Sequence, residues 1–346
     1  MTGRREMGAG DGKSSPNTLR KWLFRATGPV LFILLWWFSD LGHARTILAR
    51  AQGWPLVAAA LLNYALVLVK SWRWRVIMRS QAIEYPYLHA VRSYTIASAL
   101  ASWTPGRIGD FSKALSVSRA RGVSFGSAAS SVIADRLLDA LVMTGVAAVG
   151  GGLLLGPLGR TITWCLVALA IVIIYILARW ASGTTAQGRH LALTRVGLGG
   201  AGAQVEDALE GLGKMARPSG RRVLLTAIPV TFVTTFMTFI QGFVVALSLG
   251  LPVGFVRLSA GLGAASIASM LPLSVSNIGL REATLAVFLG PAGIRLAEVL
   301  TFSAIFLIVV NGSSALFGAV THAVWPKPPD APKPLAGADA IAGAAS

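Results

Sequence analysis

The chain has one cysteine, Cys165, set inside an apolar run. A single thiol excludes an intramolecular disulfide and a thiolate metal cage. Histidine is almost as scarce: His43, His89, His190 and His322 lie far apart, and none has the spacing of a zinc site. Also missing are a G-x-x-x-x-G-K-[ST] loop and an H-E-x-x-H pair, and the G-x-S-x-G string at Gly122 to Gly126 and the G-x-G-x-x-G string at Gly197 to Gly202 follow basic, Gly-rich loop sequence and not a strand pattern, so neither reads as a nucleophile elbow or a dinucleotide fingerprint. Hydrolysis of a nucleotide or an acyl bond therefore has no apparatus in the sequence, which argues against an ATP-driven pump. We expect no cofactor, no metal and no catalytic residue.

Charge is the other shortage. Only 13% of the 346 residues are charged, where a soluble domain carries about 25%. With 54% hydrophobic residues and a mean hydropathy of +0.65, the composition is that of a polytopic integral membrane protein. The 14 acidic residues are outnumbered by 31 Lys and Arg, giving a net charge of +17. That excess would suit nucleic acid, but the basic residues sit in short blocks beside apolar spans, as the positive-inside rule predicts. Nucleic acid is not an expected partner.

Apolar windows near 27–41, 54–69, 125–155, 161–177, 223–249 and 299–323 predict about six full transmembrane helices. The first is read as a retained helix, since no small-residue cleavage pattern follows it. Segment 1–26, with Arg4, Arg5, Lys13, Arg20, Lys21 and Arg25, predicts a disordered cytoplasmic N-terminus. Segment 27–323 is the membrane domain, and 324–346 a disordered Pro/Ala-rich tail, also cytoplasmic. Lys70, Arg73, Arg75 and Arg79, interleaved with Trp72 and Trp74, read as a cytoplasmic interface block attractive to anionic lipid. The Gly-rich loop before the fifth span carries Glu206, Asp207 and Glu210 in a short amphipathic stretch, read as a surface helix.

Two further apolar segments, near 90–103 and 258–271, are too short to cross. The first is closed by Pro105-Gly106, the second broken by Pro272. Each reads as a re-entrant helical hairpin, and irregular backbone survives at membrane depth only where protein buries it or it lines a wet cavity. The resulting order of span, hairpin and span in each half is compatible with an inverted repeat. The fold class is thus an all-α polytopic membrane protein of about six spans plus two re-entrant hairpins.

Of the acidic residues, Asp110, Asp135, Asp139, Glu282 and Glu298 fall within or at the edges of apolar regions after the second span. An Asp at the bilayer centre costs about 2.5–3.5 kcal/mol, so these groups must be paired, hydrated or near an interface. Ser127, Ser131, Asp135 and Asp139 recur every four residues and form a polar stripe on one helix face. Arg136 lies beside it, three residues from Asp139 and within pairing reach. Two readings stand: a buried ion-pair cluster joining helices, or a stripe that lines a headgroup pathway or carries a proton. Arg107 and Asp110 at the first hairpin are either interfacial snorkelling residues or a phosphate contact. At the second, Asn277 and Gly279 suit a close turn and a buried ligand, followed by Arg281 and Glu282.

Three signatures in order resemble the lysylphosphatidylglycerol synthase transmembrane region, or flippase-like domain, family. They are Arg73-Trp74, then Pro105-Gly106-Arg107-Ile108-Gly109-Asp110 with Arg119 and Asp135-Arg136-Leu137-Leu138-Asp139, then Leu271-Pro272 leading to Gly279-Leu280-Arg281-Glu282-Ala283. The family often has Glu at the place of Asp110 and a Gly-Gly-Leu-Gly type run at the place of Ser276-Asn277-Ile278-Gly279. Full-length synthases append a soluble aminoacyl-transferase domain, whereas this sequence ends in the tail 324–346, so aminoacyl transfer is not expected of it alone. The resemblance implies a bacterial inner-membrane protein that moves a phospholipid or polyprenyl-linked lipid between leaflets through a cavity formed by broken helices. Asp110, Asp135, Asp139 and Glu282 would hold a cationic headgroup, and Arg107, Arg136 and Arg281 the lipid phosphate. The alternative is a non-catalytic membrane subunit partnered with a lipid-modifying enzyme, or a membrane scaffold.

Overall fold

The structure, a computed structural model, describes residues 41–157, 202–216, 218–268 and 279–327, with the isolated positions 161, 164, 168 and 329. Among the described residues all regular structure is helical: α1 (Leu41–Arg50), α2 (Gly53–Ser80), α3 (Tyr87–Ser102), a 3-10 helix (Pro105–Phe111), α4 (Ser112–Arg121), α5 (Phe125–Leu154), α6 (Gly202–Ala216), α7 (Pro218–Ser248), α8 (Phe255–Ala268), α9 (Leu280–Leu289) and α10 (Leu296–Val324). Helices α2, α5, α7 and α10 are long and apolar enough to cross a membrane. At 1.5 Å per residue their 28 to 31 residues reach well beyond the roughly 30 Å of hydrocarbon. The expected spans at 27–41 and 161–177 lie outside the described residues, apart from isolated positions, as do segment 1–26 and nearly all of the tail. Helix α1, which follows the first expected span, was not anticipated.

Polar side chains that reach across the helices fix their directions. The backbone N–H of Gln52 donates to Ser248 O, Gln241 to Ala59 O and Arg73 to Thr231, so α2 and α7 run antiparallel. Gln81 donates to Ser130 and Trp74 to Ser131, while Arg73 meets Asp135, so α2 and α5 are antiparallel too. Helix starts and stops follow ordinary rules: the Ser124 hydroxyl accepts from the Ser127 N–H at the start of α5, and Gly122 ends α4 with a φ of 66° that favours glycine.

Both short segments form packed hairpins. After α3 the chain turns at Thr104, and the 3-10 helix folds back onto it. Gly109 then sits so close to the backbone of Leu100 and Ala101 that no side chain fits there. Its N–H donates to the Thr104 hydroxyl at 2.8 Å. In the second hairpin Arg257 of α8 donates to Phe288 O of α9 at 3.0 Å, and Gly261 packs on Leu285 and Phe288. With 16, 14 and 10 residues, α3, α8 and α9 reach only about 24, 21 and 15 Å. None can span the bilayer.

The pairings survive exchange of the two halves. Helices α2 and α7 pack on each other; α5 packs on the second hairpin as α10 packs on the first; α2 touches α10 as α7 touches α5. Since α2 and α7 are antiparallel, the exchange inverts the chain direction, which is the arrangement of an inverted repeat. Helix α6, the expected amphipathic stretch, docks on the start of α5: Gln204 accepts from the Gly126 N–H at 2.7 Å, and Leu209 and Met215 are buried. It is less a surface helix than a brace for the N-terminal end of α5.

Gly109→Val forces a side chain into the α3 backbone and should destabilise the fold by about 1–3 kcal/mol, the usual range for overpacking. Thermal unfolding of the detergent-purified protein checks this; an unchanged midpoint would mean that the hairpin is not closed as described.

Candidate functional site: a buried ion-pair cluster behind a charged cavity

Lys70, Arg73 and Trp74 stand at i, i+3 and i+4 on α2 and therefore share a face. Opposite them on antiparallel α5 are Ser131, Asp135 and Asp139, again on one face. The two rows close like a zip. Trp74 Nε1 donates to Ser131 Oγ at 3.0 Å; Arg73 Nε and Nη2 donate to Asp135 Oδ1 at 3.1 and 2.7 Å; Arg73 Nη1 donates to Asp139 Oδ1 at 2.6 Å; and Lys70 Nζ donates to Asp139 Oδ2 at 3.2 Å. The side chains of Arg73 and Asp135 are fully buried.

Two more helices and a third span join the cluster. Lys113 of α4 donates to Asp135 Oδ2 at 2.8 Å, with its ammonium 3.9 Å from the Tyr94 ring and 5.0 Å from the Trp74 ring. Rings at that distance add cation–π attraction to a cation already stripped of water. The Tyr94 hydroxyl of α3 donates to the same oxygen at 3.2 Å, and Arg73 Nη1 reaches Thr231 of α7 at 3.0 Å. The stripe thus takes part in an ion-pair cluster that joins helices.

Asp110, in the 3-10 helix, is held by Arg136 of α5 and by Arg107 at 3.3 Å. Arg136 thus pairs with Asp110 and not with Asp139, whose two oxygens are already occupied by Arg73 and Lys70. Arg107 has a φ of 56°, a left-handed conformation that costs a non-glycine residue about 1 kcal/mol or more and that the folded-back hairpin imposes. At the second hairpin Glu282 is completely buried and accepts from the Gly279 N–H at 2.5 Å, from the Ser303 hydroxyl of α10 and from Arg281 Nη2 at 3.2 Å. Arg281 also donates to Ser303 Oγ at 2.8 Å and to its carbonyl at 2.7 Å, and lies over the Phe306 ring.

Between these groups is a cavity of about 450 Å³, within the size of ordinary small-molecule sites. Its charged wall consists of Lys70, Arg107, Asp110, Arg136, Asp139 and Arg281, and the rest of the surface mixes apolar residues such as Leu66, Leu137 and Val310 with neutral polar ones such as Asn63, Gln241 and Asn311. Five of the eight expected site residues, Arg107, Asp110, Arg136, Asp139 and Arg281, therefore meet at one cavity. Asp135 and Glu282 stand behind the wall, enclosed by protein donors, and position Arg73, Lys113 and Arg281. Asn277 lies outside the described residues. Lys70, Arg73, Lys113, Tyr94 and Ser303 were missed. Lys70 and Arg73 read in the sequence as part of an interface block, although the spacing of Lys70, Arg73 and Trp74 matches the stripe on α5.

A multi-pass helical membrane protein with two half-length hairpins around a charged internal cavity is the class that fold and site define. Residues 25–318 match the family described as Lysylphosphatidylglycerol synthase TM region, and the chain belongs to that family. No curated protein and no solved structure matches it.

Asp135→Asn should destabilise the protein by about 3–5 kcal/mol, because Lys113 loses its charge partner while still buried. Adding Lys113→Met removes that stranded cation and should recover part of the loss. Thermal unfolding of both variants decides the matter: no recovery in the double variant would contradict the pairing.

Proposed function

We propose that the protein is a lipid translocase of the bacterial inner membrane, carrying a phospholipid or polyprenyl-linked lipid between leaflets without chemical change to it. The observation that carries this reading is the cavity, a charged space among helices whose outer faces are apolar. Trp54, Leu61, Leu153, Ile308 and Leu316 are more than half exposed on those faces, as suits side chains in contact with lipid. A headgroup crossing bare hydrocarbon would lose its hydration with nothing in return. A headgroup entering the cavity exchanges water for fixed side-chain donors while its acyl or prenyl chains stay in lipid.

Family membership and the inverted halves support the same reading. Inverted repeats allow one half to rock against the other around a central site, so that the site opens to each side in turn. The basic blocks in the sequence support a cytoplasmic position for both termini, and no nucleotide is needed to drive exchange down a gradient.

In liposomes containing the purified protein, labelled phospholipids and polyprenyl-phosphate lipids should exchange between leaflets faster than in protein-free liposomes. Arg281→Gln should slow that exchange by about tenfold or more, as loss of a charge-assisted contact implies. It leaves Glu282 its donors from Gly279 and Ser303, so the fold should persist. Wild-type exchange no faster than in protein-free liposomes, for every lipid offered, would overturn the reading.

A further inference from the structure

Among the described residues the ion pairs around the cavity do not balance. Lys70, Arg73, Arg107, Lys113, Arg136 and Arg281 supply six cations; Asp110, Asp135, Asp139 and Glu282 supply four carboxylates. The surplus of two positive charges lies at the wall, since Lys70, Arg107, Arg136 and Arg281 face the cavity with Asp110 and Asp139. Residues 269–278, which join α8 to α9 in the sequence, include no charged residue and so supply no counter-charge. An unbalanced pair of charges within a membrane domain is costly unless an anion joins them.

We propose, resting on the translocase reading, that the cavity is a receptor for a dianionic headgroup, a lipid phosphomonoester, and that it disfavours zwitterionic and cationic lipids. A phosphomonoester carries close to two negative charges at neutral pH and presents three acceptor oxygens. Arg107, Arg136 and Arg281 match such oxygens with planar donor forks, and Lys70 adds a point charge. One donor is already in place: Arg136 Nε is buried at the wall and has no hydrogen-bond partner among the described residues. The acceptors tell against the opposite preference. Asp139 is taken by Arg73 and Lys70, and Asp135 and Glu282 are enclosed, so among the described carboxylates of the cavity a cationic headgroup finds free only Oδ1 of Asp110.

The surplus also separates binding from folding. Asp139 keeps Arg73 when Lys70 is removed, and Asp110 keeps Arg136 when Arg107 is removed. The double variant Lys70→Met, Arg107→Gln therefore strands no carboxylate. Without ligand it should melt no lower than wild type, because like-charge repulsion is relieved, and it should lose the preference for dianions.

The test is binding to the purified protein in a non-ionic detergent at pH 8, read by thermal shift and calorimetry. Its probes are dodecyl phosphate, dodecyl methyl phosphate, dodecylphosphocholine, dodecyltrimethylammonium and inorganic phosphate. Dodecyl phosphate should bind about tenfold or more tighter than the monoanionic diester, the zwitterion and cation weaker still, and the double variant should reduce dodecyl phosphate affinity to that of the diester. Equal affinity for all dodecyl probes, or preference for the cation, would overturn the inference while leaving translocation intact. Inorganic phosphate binding as tightly as dodecyl phosphate would overturn its lipid half in favour of a free anion. Tight dodecyl phosphate binding by a protein that exchanges no lipid would instead sink the translocase reading and keep the dianion site.

Discussion

The contact on which the rest of the structure depends is the buried pairing of Arg73 with Asp135 and Asp139. One guanidinium ties α2 to α5 at two successive turns and reaches α7 through Thr231, and Asp135 in turn recruits Lys113 and Tyr94 from the first hairpin region. None of these charges could be buried alone at tolerable cost. Together they satisfy one another, and the requirement that they do so fixes the relative height and rotation of five elements. A buried ion pair is a weak source of net stability but a strong constraint on register, because misaligned alternatives strand a charge.

That constraint explains why a cavity can exist at all. Two hairpins too short to cross leave backbone and polar side chains at depth, and these must be covered by protein or face water. In the first hairpin Gly109 closes the backbone against α3, and Asp110 is anchored to α5 by Arg136. In the second, Glu282 caps its own turn at Gly279 and is tied to α10 through Ser303. The hairpins thus use the same device in opposite halves: a carboxylate just past the turn, clamped to the span that closes its half. The space between the clamps is the cavity, and its wall carries more positive than negative charge.

Much of this was legible in the sequence. The spans seen at α2, α5, α7 and α10 follow from apolar length, and the hairpins from short apolar runs closed by Pro105-Gly106 and Pro272. The Ser131-Asp135-Asp139 stripe followed from its period. What escaped was partner choice. Arg73 reads from its neighbours as one of four interface cations, yet it is fully buried while Arg79 is exposed; only the antiparallel alignment of α2 with α5 separates them. Arg136 could reach Asp139 along its own helix, but that carboxylate was already claimed from α2, a competition that no local spacing reveals. Glu282 and Asp135 look like ligand groups because they are ionised and deep, yet Glu282 pairs with the cavity-facing Arg281 and Asp135 with Arg73 and Lys113 behind the wall.

The central claim is that headgroup charge selects what passes through this cavity. Leaflet-exchange rates in liposomes holding the purified protein, compared for labelled phosphatidic acid, phosphatidylcholine and a lipid of net positive headgroup charge with identical acyl chains, test it most directly. The account predicts the fastest exchange for phosphatidic acid, slower exchange for phosphatidylcholine and the slowest for the cationic lipid. Rates that are equal across the three, or fastest for the cationic lipid, would contradict it.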